Sequence, residues 1–217
     1  PEYVNALELS YAWYSKKGTI MPTVFYRRIN DVISRYRMNI NDSVYLMTME
    51  NYTSATSYGF EMIYTYKPLK WWTTTISGSW YRHEVDGSNV ETSITAEGYG
   101  WQVRNGNSFR LPKSWEGSLS FFYNSPKSTG QGTRGAMIMS DCAIKKGFFK
   151  DKLAISLNVR DLLGTGRFRM EFKEDDYEMV MNRRMEGRIF MLGITWKLTG
   201  DYKSKEKRGN GNNGGGD

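Results

Sequence analysis

Few residues of this chain have the types and the spacing that catalysis or metal binding requires. Its one histidine, His83, stands beside Glu84, but no second histidine or cysteine ligand accompanies them, so a surface histidine is favoured over a metal ligand. Asp175 and Asp176 beside Tyr177 could meet a cation, and a solvated loop is the favoured interpretation. Because no nucleophile and base occur together, we expect no enzyme, no metal site and no cofactor.

The single cysteine and a pair of glycines also lack the setting of a functional motif. Cys142 shares its parity with the apolar Ile138 and Ile144, which predicts a small residue facing lipid or a neighbouring side chain. One cysteine forbids an internal disulfide. The segment Gly164-Thr-Gly166 has no strand-to-helix context for a phosphate-binding loop, so we interpret it as the start of an ordinary loop.

Apolar and polar residues alternate with a period of two over much of the chain, which predicts β-strands with one apolar and one polar face. The clearest segment runs from Phe190 to Leu198, where every second residue is large and apolar. We expect about nine antiparallel strands, from a first near residues 4–14 to a last near 187–199. The predicted fold class is therefore all-β, as an up-and-down transmembrane β-barrel or part of one.

Short polar turns alternate strictly with long polar connections along the chain. The short turns lie at 15–18, 67–70, 111–114 and 148–152, and the long connections at roughly 36–45, 84–97, 125–133 and 164–186. Short turns on one side and long loops on the other are typical of outer-membrane barrels, where they are periplasmic and extracellular respectively. Within the last connection, residues 167–173 are expected to extend a hairpin beyond the membrane surface.

Five charged residues fall on the polar parity of the predicted strands. They are Glu61, Arg104, Asp141, Arg160 and Lys197. Because a barrel interior is polar and must satisfy the groups that it holds, we expect these side chains to face the lumen and to form ion pairs and hydrogen bonds there. A structural role is favoured, and contact with a transported substrate is the alternative for some of them.

All seven tryptophans lie near predicted strand ends, as the aromatic girdles of membrane barrels do. They are Trp13, Trp71, Trp72, Trp80, Trp101, Trp115 and Trp196. Tryptophan is also common in strands of any kind, so the core of a soluble β-sandwich is the alternative. The alternating loop lengths favour the girdle.

The composition supports a sheet with one apolar face and one face in contact with water. Aromatic residues make up 15% of the 217 residues, yet the mean hydropathy is -0.61, so the rings are spread among polar residues. The sequence has no run of 18 apolar residues, which excludes a transmembrane helix and leaves a barrel as the spanning structure. The net charge of +7 comes from scattered Lys and Arg, so no nucleic-acid partner is expected.

The two ends of the chain differ in composition from the rest. Residues 1–6 lack the basic and apolar regions of a signal peptide, so we expect the chain to be a fragment of a longer exported protein. Residues 1–199 are predicted to form the C-terminal part of the barrel. Residues 200–217 form a Lys-, Gly- and Asn-rich tail that has nothing to bury and is predicted to be disordered.

A series of short segments together carries a family resemblance. They are Pro1-Glu2 with Leu7-Glu-Leu-Ser-Tyr11, residues 25–33, Asn51 leading into Tyr58-Gly-Phe-Glu61, Pro68-Leu-Lys-Trp-Trp72, Leu111-Pro-Lys-Ser-Trp115, Tyr123-Asn-Ser-Pro126 with Gly130-Gln-Gly132, and Leu157-Asn-Val-Arg-Asp-Leu162. In their order and spacing the chain resembles the C-terminal β-barrel region of TonB-dependent outer-membrane receptors, specifically the outer membrane protein β-barrel family of Bacteroidetes.

The resemblance implies a 22-stranded barrel in the outer membrane of a Gram-negative cell, closed by an N-terminal plug. Such a receptor imports a scarce ligand such as a siderophore, vitamin, glycan or peptide, with energy from the TonB complex. The implied partners are outer-membrane lipid, the plug, the remaining strands and TonB, with the plug and the TonB-contacting region N-terminal to this chain. One departure is that a Gly/Asn tail follows the last strand, where such barrels usually end on an aromatic residue.

Ligand capture is then expected in the long loops, by Glu97 and Tyr99 in one and by Asp175, Asp176 and Tyr177 in another. A passive porin or an adhesin scaffold without TonB coupling is the main alternative. A soluble all-β binding module is the third.

Overall fold

A computed structural model describes residues 1–41, 44–91, 94–174, 177–184 and 187–198 of the chain. The strands within these ranges are β1 Tyr3–Ser10, β2 Trp13–Ser15, β3 Gly18–Asn41, β4 Val44–Leu69, β5 Trp72–Asp86, β6 Thr95–Leu111, β7 Trp115–Asn124, β8 Lys127–Thr129, β9 Gly132–Arg134, β10 Met137–Phe148, β11 Leu153–Arg160, β12 Arg167–Glu174, β13 Tyr177–Arg184 and β14 Ile189–Trp196. Every pairing between them is antiparallel. The predicted all-β fold class is confirmed. The predicted tail at 200–217 lies outside the described residues.

Most strands form one large sheet, which we call the wall. Its order is β1-β3-β4-β5-β6-β7-β10-β11-β14, and the short β2 pairs with β3 beyond the end of β1. Nine strand positions follow one another here, which is the number that the alternation predicts. Within the described part of the chain, no helix is long and apolar enough to cross a membrane.

Cross-strand pairing keeps the two faces of the wall separate. Leu157 lies opposite Ile144 on one side and Leu192 on the other, whereas its neighbour Asn158 lies opposite Ala143 and Met191. Leu192 is 71% exposed, so the protein itself does not cover the apolar face. A soluble sandwich would bury such a row under a second sheet, whereas a membrane barrel leaves it to lipid.

The short turns lie close to their predicted positions, with one difference. β4 continues through Leu69, so the turn before β5 is only Lys70 and Trp71. The register between β4 and β5 shifts between Tyr66 and Leu69. Pro68 lies within this shift, because it has no N–H to donate to a ladder hydrogen bond.

The tryptophans occupy two levels of the wall. At the short-turn end, Trp13, Trp72 and Trp115 are the first residues of their strands and Trp196 is the last of β14, with Trp71 in a turn.

The other two tryptophans correct the expectation that all seven lie near strand ends. Trp80 and Trp101 are paired with each other in the middle of β5 and β6, six residues before Asp86 and six after Thr95. Both strands run on past the tryptophans, because their polar outer segments keep pairing beyond the apolar part of the wall.

The first long connection is also different from the prediction. Residues 36–45 are not an open loop, because β3 and β4 remain paired as far as Asn41 and Val44. The ladder between β3 and β4 passes over Asp31, which has a φ of 54°. There Thr53 N donates to the side chain of Asn89 at 3.0 Å. Tyr36, Met38 and Ile40 alternate with polar residues through this segment, so the period of two was the signal for the strand extension.

The last two long connections form a second, four-stranded sheet of order β13-β12-β9-β8. The predicted hairpin segment 167–173 lies in β12, which pairs with β13 and with β9. It therefore belongs to a separate sheet and does not prolong β11 and β14.

Candidate functional site

The long connections meet in one assembly at the end of the wall opposite the short turns. We call this assembly the cap: the described residues of 32–52, 87–94, 125–136 and 161–188. The side chain of Gln131, in the turn between β8 and β9, holds the backbone of Arg37 in β3. Its Oε1 accepts a hydrogen bond from Arg37 N at 2.9 Å and its Nε2 donates to Arg37 O at 2.7 Å.

A small apolar core holds three of these connections together. Ile94 is 1% exposed and Tyr52 is 2% exposed, which makes them the most buried apolar residues described. Gly87 and Gly130 come from two different connections to the same Ile94 side chain. A Cβ on Gly130 would lie 2.7 Å from Ile94 Cγ2, so only glycine allows this approach.

A cleft of about 250 Å³ lies between the outer part of the β3–β4 hairpin and the β12–β13 hairpin. Its lining side chains are mostly thioethers and aromatic rings, with two arginines and a few small polar groups. They belong to Ser34, Arg35, Tyr36, Arg37, Met47, Tyr52, Thr129, Gly130, Gln131, Phe168, Met170, Phe172 and Met181. The Arg37 guanidinium stacks 4.5 Å from the centre of the Phe172 ring.

One face of the β12–β13 hairpin supplies the far side of the cleft. Met170 lies opposite Met181, and Phe172 lies opposite Met179. Because directly opposed residues share a face, these four side chains form one apolar surface. The Arg37 side chain reaches this surface, with Nη1 at 3.5 Å from Met179 Sδ.

The cap is anchored to the polar face of the wall through His83, which corrects the expectation of a surface histidine. His83 is only 2% exposed, because β8 packs against the neighbouring β6 and Ser128 of β8 contacts the histidine ring. Its Nε2 lies 3.0 Å from Ser128 O, to which the neutral ring donates. Burial first, and the nearby Lys127 second, hold the pKa of His83 below its ordinary value.

Lys127 lies half-buried near this histidine. Its Nζ lies 5.4 Å from the centre of the Tyr81 ring. Burial, followed by the charge of Arg134, lowers the pKa of the Lys127 ammonium. Two ring systems and two cationic side chains are therefore packed where the cap meets the wall.

The structure places the predicted capture residues away from the cleft or outside its description. Glu97 and Tyr99 lie in β6, not in a loop, because β5 and β6 are paired as far as Asp86 and Thr95. Tyr99 stacks on Trp80 at 5.2 Å on the apolar face, and Glu97 Oε2 lies 2.9 Å from Arg82 Nη2.

The second set of predicted capture residues is only partly described. Asp175 and Asp176 lie outside the described residues, and Tyr177 begins β13. Ligand capture by any of the five residues stays a prediction.

Two of the predicted lumen residues share a pocket. Glu61 and Arg104 line a depression of about 260 Å³ on the polar face, together with Ser77, Ser79 and Gln102. The Arg104 guanidinium lies 5.3 Å from the centre of the Phe122 ring. The pocket combines both charges, hydroxyls and an amide, which suits a polar ligand or a polar protein surface.

The other predicted lumen residues lie nearer the two ends of the wall. Asp141 and Arg160 are directly opposed across β10 and β11, and Asp141 Oδ1 accepts a hydrogen bond from Asp161 N at 3.0 Å. Lys197 follows β14, and its backbone N donates to Lys152 O at 2.8 Å.

Two ion pairs on the polar face were not predicted from the sequence. Lys145 Nζ lies 3.2 Å from Glu116 Oε2, and Arg27 Nη2 lies 3.4 Å from Glu8 Oε1. Such ion pairs could be predicted only from oppositely charged residues that lie opposite or nearly opposite each other in neighbouring strands. Recognising them requires the strand register to be known.

The described residues contain no group of three His, Cys, Asp or Glu side chains that could hold a metal ion. Cys142 is half-buried and lies opposite Leu119 and Val159 on the apolar face, as its parity predicts.

Comparison with known proteins agrees with this geometry. The fold is similar to the crystal structure of the ferric yersiniabactin uptake receptor FyuA from Yersinia pestis, with a TM-score of 0.60 and 17% sequence identity. The match covers 89% of this chain and 29% of that receptor, so the chain spans less than a third of its length. No curated protein matches the sequence. The model of the outer membrane protein β-barrel family matches residues 1–196, and the chain therefore belongs to that outer-membrane family.

Proposed function

We propose that this chain supplies an arc of the barrel wall and most of a ligand-capturing cap in a TonB-dependent receptor of the Gram-negative outer membrane. The observation that carries this proposal is the cap itself. Its hairpins are held together by Gln131 and by the core around Ile94, and they enclose a cleft at the end of the wall where the long connections meet. A passive pore has no need of a preassembled binding cleft.

The position of the cap supports its exposure outside the cell. Trp72 and Trp80 mark the two aromatic levels on β5. They are eight residues apart, which is about 26 Å along a strand and about 20 Å across a membrane at a tilt near 40°. This distance is close to the ~25 Å apolar band of outer-membrane barrels. The cap lies beyond Trp80, where long extracellular loops are found.

The mechanism requires binding and movement without covalent chemistry. A scarce ligand, such as a siderophore, vitamin, glycan or peptide, binds in the cleft between the two hairpins. The polar face of the wall lines the lumen, where the pocket of Glu61 and Arg104 meets either the passing ligand or the plug. Energy from TonB moves the plug, and the ligand passes. The remaining strands of a barrel of about 22, the plug and the TonB-contacting segment belong to other parts of the complete protein.

Ion conductance of the complete protein in a planar lipid bilayer tests this function against the passive porin. A receptor that is closed by a plug gives no steady conductance, and it binds the periplasmic domain of TonB in solution. A steadily open channel without TonB binding contradicts the proposal and supports the porin or the adhesin scaffold.

Labelling of intact cells tests the orientation. In a Cys142→Ser background, one cysteine is introduced at Ser88 in the cap or at Lys150 in a short turn, both of which are exposed. A membrane-impermeant maleimide is expected to label the first variant and to spare the second. The opposite pattern would reverse the orientation.

A further inference from the structure

We propose that the cap cleft binds an apolar group that carries a negative charge, such as an aromatic or acyl carboxylate within a larger ligand. This inference rests on the proposed receptor function and names the ligand chemistry of the same site.

The walls of the cleft are apolar and adaptable. Met47 from β4, Met170 from β12 and Met181 from β13 all line the cleft. Thioether side chains are flexible and polarisable, so they fit irregular apolar groups and make favourable contacts with aromatic rings. Phe168 and Phe172 extend the same surface. A ring or a short alkyl chain is therefore a better occupant than a sugar.

Few hydrogen-bonding side chains remain for a neutral polar ligand. Both ends of the Gln131 amide are engaged by the backbone of Arg37. The Tyr52 hydroxyl donates to Arg35 O at 3.3 Å. A sugar needs several hydrogen bonds to replace its hydration, because unpaired polar groups are costly when buried. The cleft offers mainly apolar contact in their place.

The charge of the cleft has one sign. Among its described lining residues the charged ones are Arg35 and Arg37, and both are cationic. Arg35 is exposed, whereas Arg37 is 3% exposed and stacked on Phe172. A guanidinium binds carboxylates through paired, charge-assisted hydrogen bonds. An anionic substituent on the apolar group complements the exposed guanidinium of Arg35.

The size of the cleft limits what it holds. Its volume of about 250 Å³ is below the roughly 300–1,000 Å³ of sites that enclose a whole small molecule. The cleft therefore takes one group of the ligand and leaves the rest outside, which suits the first step of capture.

Isothermal titration of the complete protein in detergent with three soluble probes tests the inference. The probes are 4-phenylbutyrate, its neutral analogue 4-phenylbutanol, and methyl glucoside, each corrected by a detergent blank. We expect phenylbutyrate to bind most tightly, phenylbutanol more weakly, and methyl glucoside without saturation. Preferential binding of the glucoside, or equal affinity for the acid and the alcohol, would overturn the inference.

Exposed variants separate the apolar contact from the charge. Met47→Gln and Met181→Gln should each weaken both phenyl probes about three- to tenfold. Arg35→Gln should weaken phenylbutyrate about five- to tenfold and leave phenylbutanol unchanged. The matched controls are Met38→Gln, on the opposite face of the same hairpin, and Arg28→Gln, farther along β3; both are exposed, lie outside the cleft lining and should change affinity less than twofold.

The possible outcomes distinguish this inference from the proposed function. Unchanged binding in both methionine variants, with correct folding shown by heat-modifiable migration on gels, contradicts the cleft as the binding site. Equal losses in the variants and their controls contradict it as well. If the protein is closed and binds TonB but does not discriminate among the probes, only the inferred ligand class is contradicted. If the protein is an open channel, the proposed receptor function itself is contradicted.

Discussion

The side-chain amide of Gln131 pairs with Arg37 as a neighbouring β-strand would, by accepting from its N–H and donating to its carbonyl. The two residues are 94 positions apart in the sequence. One amide thus satisfies both backbone groups of a residue whose side chain lines the cleft. The position of the β8–β9 turn and the shape of the cleft are coupled through this pair.

Replacing Gln131 should loosen the cap and leave the wall folded. In Gln131→Ala both hydrogen bonds are lost, and in Gln131→Glu the carboxylate still accepts from Arg37 N but has no proton to donate to Arg37 O. At about 0.5–1.5 kcal/mol for each bond, hydrogen exchange at the Arg37 amide should accelerate severalfold, more in the alanine variant. Mass spectrometry measures this exchange. Gln102→Ala, on the polar face of the wall, is the control, and equal rates in all three proteins would contradict the coupling.

Filling the space at Gly130 should disrupt the small core of the cap. The added methyl group of Gly130→Ala meets Ile94 Cγ2 at 2.7 Å, so we expect a cost of about 1–3 kcal/mol and faster proteolysis of the cap. Gly106→Ala is the matched control, because a Cβ there meets nothing within 4 Å. If both variants resist protease equally, the contact with Ile94 has no role in holding the cap.

The anchor at His83 predicts that the cap loosens in acid. When the cap opens, the ring returns to its ordinary pKa of 6.5, whereas burial and Lys127 keep the pKa lower in the closed cap. The open form therefore binds more protons below pH 6.5, so stability that is fully present above this pH is lost as the pH falls towards the lowered pKa. Hydrogen exchange in residues 127–134 should accelerate between about pH 7 and pH 5 beyond its chemical dependence on pH.

The control for this pH dependence is His83→Gln. The glutamine amide can still donate to Ser128 O but does not titrate, so its cap should show no extra acceleration in acid. A persistent acid response in His83→Gln would assign the effect to another group.

A pair of adjacent substitutions tests which face of the wall meets lipid. Leu157→Lys places a charge on the apolar face between Ile144 and Leu192, and Asn158→Lys places the same charge on the polar face. At the membrane midplane a lysine on the lipid face costs about 2–4 kcal/mol, whereas lumen positions tolerate it. Only the first variant should lower the amount of heat-modifiable barrel in outer-membrane fractions. The reverse result would exchange the two faces.

A chain of polar side chains crosses the apolar face near the short turns. Trp72 Nε1 donates to Asn107 Oδ1 at 3.1 Å, Asn107 Nδ2 to Asn105 Oδ1 at 2.6 Å, and Asn105 Nδ2 to Thr74 Oγ1 at 3.1 Å. Asn107→Leu leaves Asn105 Oδ1 without this donor, which should cost about 1–3 kcal/mol.

The double variant Asn105→Leu/Asn107→Leu removes both amides and should recover most of that stability. The temperature at which the heat-modifiable band disappears from gels reports the order of the three proteins. A double variant less stable than Asn107→Leu would show that the two amides stabilise the protein through more than the hydrogen bond between them.

Local pattern predicted the wall and missed most of the cap, for a physical reason. A period of two and a short turn are properties of neighbouring residues, so nine strands and Cys142 on the apolar face could be inferred directly. The burial of His83 depends on Ser128, 45 residues away, and no local pattern reports such a contact.

The ends of strands that extend beyond the membrane were also difficult to predict from the local sequence. Glu97 is an exposed, charged residue in the part of β6 that extends beyond Trp101, so its sequence neighbourhood resembles that of a loop. The paired charges of Glu116 and Lys145 likewise become visible only once the strands are aligned.

The core around Ile94 has a consequence for how this protein can change over time. Three of the five buried apolar residues described, Tyr52, Ile94 and Phe172, belong to the cap. The wall is stabilised by contact with lipid, and the cap by its own small interior. Substitutions that reshape the cleft therefore change the stability of the cap and leave that of the barrel unchanged. New ligand preferences can arise in the cap while the membrane-spanning strands, and the ability to assemble, stay the same.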